Sequence, residues 1–214
     1  MTLNDLTYWN NFYKTDVKLN KNLNFASLIK NKFLKKKMKV LEIGTGNGRD
    51  AFYFSNYVRS IIAIDQSKTI INENKSKTKK LKIKNLHFYK CSVNQIKKIK
   101  KKNSLSFIYA RFFLHSINAK KEDLLLRNLS KYNKINPLIA FEFRTDLDKL
   151  MKKGKKLSKF ERYTDHYRRF INVPSFEKKL FNYGFKIVYK KTGINLSKTK
   201  NDNPHLCRII FCKI

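Results

Sequence analysis

The sequence predicts an α/β fold: a doubly wound, mostly parallel, seven-stranded sheet with a C-terminal antiparallel strand pair and helices on both faces. Three observations lead there. Short buried runs rich in β-formers alternate with helical stretches between residues 38 and 143. A glycine-rich turn, Gly44-Thr45-Gly46-Asn47-Gly48, follows the first of those runs. The last two runs, at 185–189 and 206–213, have no helix between them, so they should pair antiparallel.

Each element has a local reason. Apolar residues at Leu6, Trp9 and Tyr13, then at Phe25, Leu28, Ile29 and Phe33, recur at helical spacing and predict helices over 3–15 and 24–35, with Asn24 as an N-cap. The predicted strands are 38–43, 60–65, 86–90, 105–110 and 138–143. Helices over 49–57, 68–80 and 120–132 lie between them. Residues 145–172 are polar and irregular and read as an insertion over the sheet's carboxyl edge. Pro174 opens a helix over 174–182 that Gly184 ends, and 193–204 is a second polar loop. No repeat or linker interrupts the 214 residues, so a single domain over 1–214 is expected, with a helical lid at 1–36 and the insertion at 145–172 covering the active site.

The formal net charge is +34, from 49 Lys and Arg against 15 Asp and Glu. A charge of that size invites a nucleic-acid reading. Its make-up points elsewhere: 40 of the 49 are Lys, alongside 23 Asn and 20 Ile, the residues of AT-rich codons. Runs such as Lys97-Lys98-Ile99-Lys100-Lys101-Lys102 read as solvated faces. Against that background an Arg stands out, because only its planar guanidinium grips an anion bidentately. Arg49, Arg111, Arg144, Arg168, Arg169 and Arg208 all lie in or beside motifs. The 28 Phe and Tyr exclude a disordered basic tail. No apolar run approaches the ~20 residues needed to span a bilayer. Cys91, Cys207 and Cys212 lack metal-ligand spacing, no metal cluster is seen, and the N-terminus has no signal-peptide pattern. A cytoplasmic protein with reduced thiols is expected.

Strand, Glu42-Ile43-Gly44-Thr45-Gly46-Asn47-Gly48, helix, strand and Asp65 form a constellation. Glycines let backbone approach a ligand closely, and the turn sits at the carboxyl end of the first strand, where open α/β sheets bind ligands. Asp65, closing the second strand, could accept hydrogen bonds from both hydroxyls of a ribose. A dehydrogenase would usually carry Gly-x-Gly-x-x-Gly instead. The constellation resembles the cofactor motif of class I, Rossmann-like methyltransferases that use S-adenosyl-L-methionine and release S-adenosyl-L-homocysteine. The resemblance implies cofactor contacts from Glu42, Gly44, Thr45, Gly46 and Gly48, from Asp65, Gln66 and Ser67, from Ser92 and Val93, and from Ala110. Ser92 stands where the family commonly has an Asp for the adenine amino group, so its hydroxyl or the Val93 N–H has to serve. Tyr109-Ala110-Arg111-Phe112 is not the Asn/Asp-Pro-Pro-Tyr of amino-methylating nucleic-acid enzymes.

Further pieces, among them Tyr8-Trp9-Asn10-Asn11-Phe12-Tyr13, Arg111-Phe112-Phe113-Leu114-His115 and His166-Tyr167-Arg168-Arg169-Phe170, resemble a bacterial subgroup associated with capsule and surface-polysaccharide biosynthesis. Arg111, Arg144, Arg168 and Arg208 fall at carboxyl strand ends or in the insertions, with His115 and His166. Such a lining suits a small acceptor bearing phosphate or carboxylate. His115, His166 and Arg111 are the expected catalytic residues, and Trp9, Tyr13, Arg111, His115, Arg144, His166, Arg168 and Arg208 the expected acceptor contacts. An RNA methyltransferase using its basic surface is the alternative.

Overall fold

The structure is a computed structural model that describes residues 7–11, 24–97, 99, 104–131 and 136–214. Residues 7–11 are helical. Helix α1 (Asn24–Lys32) leads into β1 (Lys39–Ile43), α2 (Arg49–Phe54), β2 (Ser60–Asp65), α3 (Lys68–Lys80) and β3 (Leu86–Lys90). Then come β4 (Phe107–Arg111), a 3-10 turn at Leu114–Ser116, α4 (Ala119–Ser130) and β5 (Leu138–Arg144). The sheet order is β3-β2-β1-β4-β5-β10-β9, all parallel except β10 (Leu206–Lys213), which runs antiparallel to both β5 and β9 (Phe185–Gly193). The expected seven-stranded sheet and its terminal pair are therefore present.

Burial explains the strand patterns. β4 is buried at all five positions and β5 at six of seven, as continuous apolar runs covered on both faces require. One core layer packs Leu41, Ile108, Phe141 and Ile209 against Leu125 and Leu129 of α4 and Phe176 and Leu180 of α5 (Val173–Asn182). The other packs Val40, Ile61, Tyr109 and Ile210 against Phe25 and Ile29 of α1 and Phe54 of α2.

Several expectations need correction. Residues 145–172 are not irregular: β6 (Lys155–Lys156), β7 (Glu161–Tyr163) and β8 (Tyr167–Arg169) form a small antiparallel sheet. Strands of two or three residues carry too few alternating positions to show a period. β9 also runs four residues past the predicted end at Tyr189, because β10 supplies ladder partners through Leu206↔Gly193. Helices α1 and α2 stop at Lys32 and Phe54, short of the predicted 35 and 57. The parts of the predicted helix 3–15 beyond 7–11, and Tyr13 with them, lie outside the described residues.

Candidate active site

The order β2-β1-β4-β5 brings four carboxyl strand ends side by side, and a cavity of about 580 Å³ opens there. One half is built by the glycine turn. The backbone N–H groups of Gly44 and Thr45 donate to the Ile64 carbonyl at 2.9 and 3.0 Å, which ties the turn to β2. Gly44 has φ +72°, and a Cβ there would meet Phe113 Cδ2 at 2.5 Å. Gly48, at φ +78°, begins α2, and a Cβ there would meet Phe52 at 2.9 Å. Both positions therefore require glycine on conformational and steric grounds. The Asn74 side chain of α3 holds the turn from behind, donating to the Gly46 carbonyl at 2.7 Å.

Asp65 stands at the mouth of this turn. Its carboxylate accepts the N–H of Gly46 at 3.1 Å and of Ser67 at 3.0 Å. Burial raises its pKa, against the pull of those backbone donors. The Gln66 N–H is a third backbone donor to it, and a carboxylate has about four acceptor positions, so its capacity is not filled. Ser67 N-caps α3 by accepting the Ile70 N–H. Ser92 forms a capping box with Gln95, which occupies much of its hydrogen-bonding capacity. Glu42, Gly44, Thr45, Asp65, Gln66, Ser67, Ser92 and Val93 all line the cavity. Gly46 and Gly48 instead shape the turn, and Ala110 lies buried in β4 beside it.

Beneath the cavity floor lies a charged network. Strand register places Arg111 of β4, Glu142 of β5 and Arg208 of β10 opposite one another. Glu142 accepts from Arg111 Nε at 2.8 Å and from Arg208 Nε at 2.6 Å, and Ser197 Oγ donates to it at 3.0 Å. On the other side Asp50 accepts from Arg49 Nε and the Tyr109 hydroxyl, each at 2.8 Å, with Arg111 Nη1 at 3.6 Å. Burial opposes ionisation of Asp50, but Arg49 and Arg111 outweigh it and hold the carboxyl below its usual range. Glu42 has no such cation in contact. Burial first, and then Asp50, push its pKa up to about 8, while Thr45 Oγ1 donates to it at 2.8 Å.

The other half of the cavity carries the second set of expected residues. His115 is 4% exposed, neither ring nitrogen has a partner among the described residues, and its Nδ1 is fully buried. Burial, reinforced by Arg144, His166, Arg168 and Arg169, drives its pKa well below the usual value, so the ring is neutral. Phe112, at φ +52°, turns the chain sharply between Arg111 and this histidine. Tyr8 stacks on His166 at 4.1 Å and Trp9 meets the same ring edge-on at 4.8 Å, so helix 7–11 walls the cavity. Burial first, then Asp165, raises the Tyr8 phenol to about 12.

Several expectations change here. His166 lies in a polar run, which suggests exposure, yet it is only 2% exposed because Tyr8 and Trp9 arrive from 158 and 157 residues away in sequence. Neighbouring acids offset the charge of the arginines. Arg144 pairs with Asp148 at 2.8 Å and with Asp202, and Arg168 with Asp165 and Thr164. Arg208 does not reach the cavity lining: its guanidinium is used by Glu142 and the Leu196 carbonyl. Asp50, Ser197 and Asp202 line the cavity without having been singled out from the sequence. Only Asp50 had a local signal, as an acid in the first turn of the helix after the glycines.

A family model described as a methyltransferase domain matches residues 34–192, three quarters of the chain and the whole of the glycine turn. The chain belongs to this methyltransferase family. Similar solved structures agree in fold. An S-adenosylmethionine-dependent methyltransferase from Anabaena variabilis aligns with TM-score 0.73 at 16% identity, covering 100% of this chain and 96% of that one. One from Methanosarcina mazei aligns with TM-score 0.71 at 14% identity, covering 87% and 97%. The [4+2]-cyclase SpnF aligns with TM-score 0.67 at 11% identity, covering 88% and 79%, which shows how far the fold alone extends. A search of functionally curated proteins finds no match.

S-adenosylmethionine is the methyltransferase's cofactor, and the site fits it. The turn's close-packed glycines and the remaining acceptor capacity of Asp65 suit the ribose of an adenosine. The cavity volume lies within the usual range for a site of that size.

Proposed function

We propose that this methyltransferase O-methylates a small acceptor carrying a phosphate or carboxylate group. One observation carries the reading: the cofactor turn and a half lined by His115, His166, Arg144 and Arg168 share a single cavity. When bound, S-adenosylmethionine supplies an electrophilic methyl on sulfur and departs as S-adenosylhomocysteine. Glu42, Thr45, Gln66 and Val93 would border it, and Asp65 would hold its ribose hydroxyls. Helix 7–11, through Tyr8 and Trp9, acts as the lid of the acceptor half, with β6–β8 as its other wall.

In this reading His115 takes the acceptor's hydroxyl proton. The ring is neutral and its nitrogens have no partner among the described residues. A weak base suffices, because the hydroxyl becomes strongly acidic as its oxygen bonds to carbon. Positioning is the larger contribution, worth roughly 7–11 kcal/mol where geometry is right. His166, clamped by Tyr8 and Trp9, positions the acceptor. Arg111, fastened to Glu142 beneath the floor, acts as a positioning residue.

A basic groove outside the site favours the RNA alternative. It is lined by Lys75, Lys79, Lys82, Lys84, His87 and Tyr89 between α3 and β3. It shares no lining residue with the main cavity, which weakens that alternative. The test is transfer of labelled methyl to a panel of sugar phosphates, nucleotide sugars and total RNA. Sugar phosphates and nucleotide sugars come first because of the resemblance to the surface-polysaccharide subgroup. Turnover of an anionic small molecule with none on RNA is expected. Labelling of RNA alone would replace this reading with its rival.

A further inference from the structure

Five Lys and Arg side chains line the main cavity, and four are already neutralised. Arg49 is bound to Asp50, Arg111 to Glu142 with Asp50 nearby, Arg144 to Asp148 and Asp202, and Arg168 to Asp165. The fifth is Lys121, in the first turn of α4. No carboxylate lies within ion-pair distance of its ammonium among the described residues. Its nearest acidic neighbours in sequence are engaged elsewhere: Glu122 holds Arg169 and Lys179, and Asp123 holds Lys179. The Lys121 backbone N–H is capped by Asn118, which fixes the first turn of the helix and where the side chain starts.

Lys121 also stands six residues after His115, on the same stretch of chain. His115 sits in the 3-10 turn at Leu114–Ser116, and the Asn118 cap opens the helix that carries Lys121. Both line the cavity, and neither side chain has a hydrogen-bond or ion-pair partner among the described residues. A cation and a neutral imidazole left unpaired in one cavity are complementary to a ligand with an anionic group at one end and a hydroxyl at the other.

We propose that Lys121, and not the arginine cluster, is the residue that selects an anionic acceptor, holding its phosphate or carboxylate so that the acceptor hydroxyl faces His115. This rests on the acceptor reading above. The arginines, each with its own carboxylate, shape and stiffen the wall. A carboxylate already in contact reduces the charge an incoming anion feels, whereas Lys121 presents its full charge.

The test uses the intact protein saturated with S-adenosylhomocysteine and titrated calorimetrically with inorganic phosphate or acetate as probe. Wild type is expected to bind phosphate, Lys121→Gln to bind it about ten-fold more weakly or worse, and Lys121→Arg to restore binding. Lys120→Gln, an exposed position on the same helix that does not line the cavity, controls for general charge and should match wild type. Unchanged S-adenosylhomocysteine affinity and thermal midpoint in Lys121→Gln show that the fold and cofactor half are intact. Equal phosphate binding by wild type and Lys121→Gln, or no phosphate binding by wild type, overturns the proposal. The comparison of phosphate with acetate tells which anion the subsite prefers. The acceptor panel is independent of this titration. Turnover of a small anionic acceptor with phosphate binding indifferent to Lys121 would sink this inference alone. Lys121-dependent phosphate binding with labelling of RNA only would sink the acceptor reading instead.

Discussion

The two halves of the cavity are built by different means. The cofactor half is made mostly by one continuous stretch, residues 42–67, whose backbone conformation does most of the shaping: positive φ at Gly44 and Gly48, and N–H groups of Gly46 and Ser67 aimed at Asp65. The acceptor half is assembled from segments far apart in sequence. Tyr8 reaches His166, Arg144 reaches Asp202, and Arg111 reaches Ser197. A site made by local backbone tolerates drift around it, whereas a site made by long-range side-chain pairs depends on every element that delivers a partner. The strongest perturbation should therefore come from the joint between the halves.

That joint is Glu142, 1% exposed between Arg111 and Arg208. Glu142→Ala would leave two buried guanidinium groups without their carboxylate, a loss of about 3–5 kcal/mol. A fall of that size in unfolding free energy is the expected result of a denaturant titration. Glu142→Gln should fall less, because the amide oxygen still accepts one of the two bonds. If Glu142→Ala unfolds like wild type, the two halves are not joined through this residue.

Asp65→Ala probes the cofactor half alone. Loss of the charged ribose bonds should weaken S-adenosylmethionine binding by about ten-fold or more, near 1.4 kcal/mol, and the thermal midpoint should fall as well, because the Gly46 and Ser67 N–H groups lose their acceptor. Equal affinity in wild type and variant would remove Asp65 from the site and leave the turn as scaffold only.

These contrasts also account for what was readable in advance. The parallel sheet, the glycine turn and Asp65 follow from local patterns: apolar runs of strand length, glycines at close approaches, an acid ending a strand. The three-stranded sheet of residues 155–169 was not readable, since its strands of two and three residues show no period. The burial of His166 was hidden because its cover comes from Tyr8. The pairing of the arginines was hidden for the same reason. Arg111, Glu142 and Arg208 become a triad only once β10 is known to enter beside β5, and no local signal points to Ser197 as the group that bridges them.

Glu42 supplies a smaller, pH-dependent effect. Its folded-state pKa is raised to about 8, above the ordinary carboxylate value, so between those values the native protein holds a proton that the unfolded chain has released. The unfolded state then binds fewer protons, and this residue's contribution to stability falls as pH rises through that window. Asp50 is shifted the other way, and its contribution is lost on acidification. Stability of wild type relative to Glu42→Gln should therefore decline from pH 5 to pH 8 and level off above. Parallel pH profiles for the two proteins would mean that Glu42 is ionised throughout.

The smallest effect is expected where the charge is densest. Lys97, Lys98, Lys100, Lys101 and Lys102 supply five of the 49 basic residues within six positions. Lys97 is exposed, and the other four lie outside the described residues. Lys97 lines neither the main cavity nor the basic groove between α3 and β3. A lysine run of this composition is expected to be solvated surface, and surface charge far from a site acts on a small ligand only through a field that physiological salt screens within about 8 Å. Changing all five to Gln should therefore leave kcat/KM on a small anionic acceptor within about two-fold of wild type, a difference near 0.4 kcal/mol. Any residual effect should vanish at higher salt. A loss of activity that persists in salt would tie this run to the acceptor half after all. A loss confined to RNA binding, with affinity falling steeply as salt rises, would give the basic surface a partner of its own. The expected near-neutral result would instead locate the specificity of the protein in the paired and unpaired charges of its cavity.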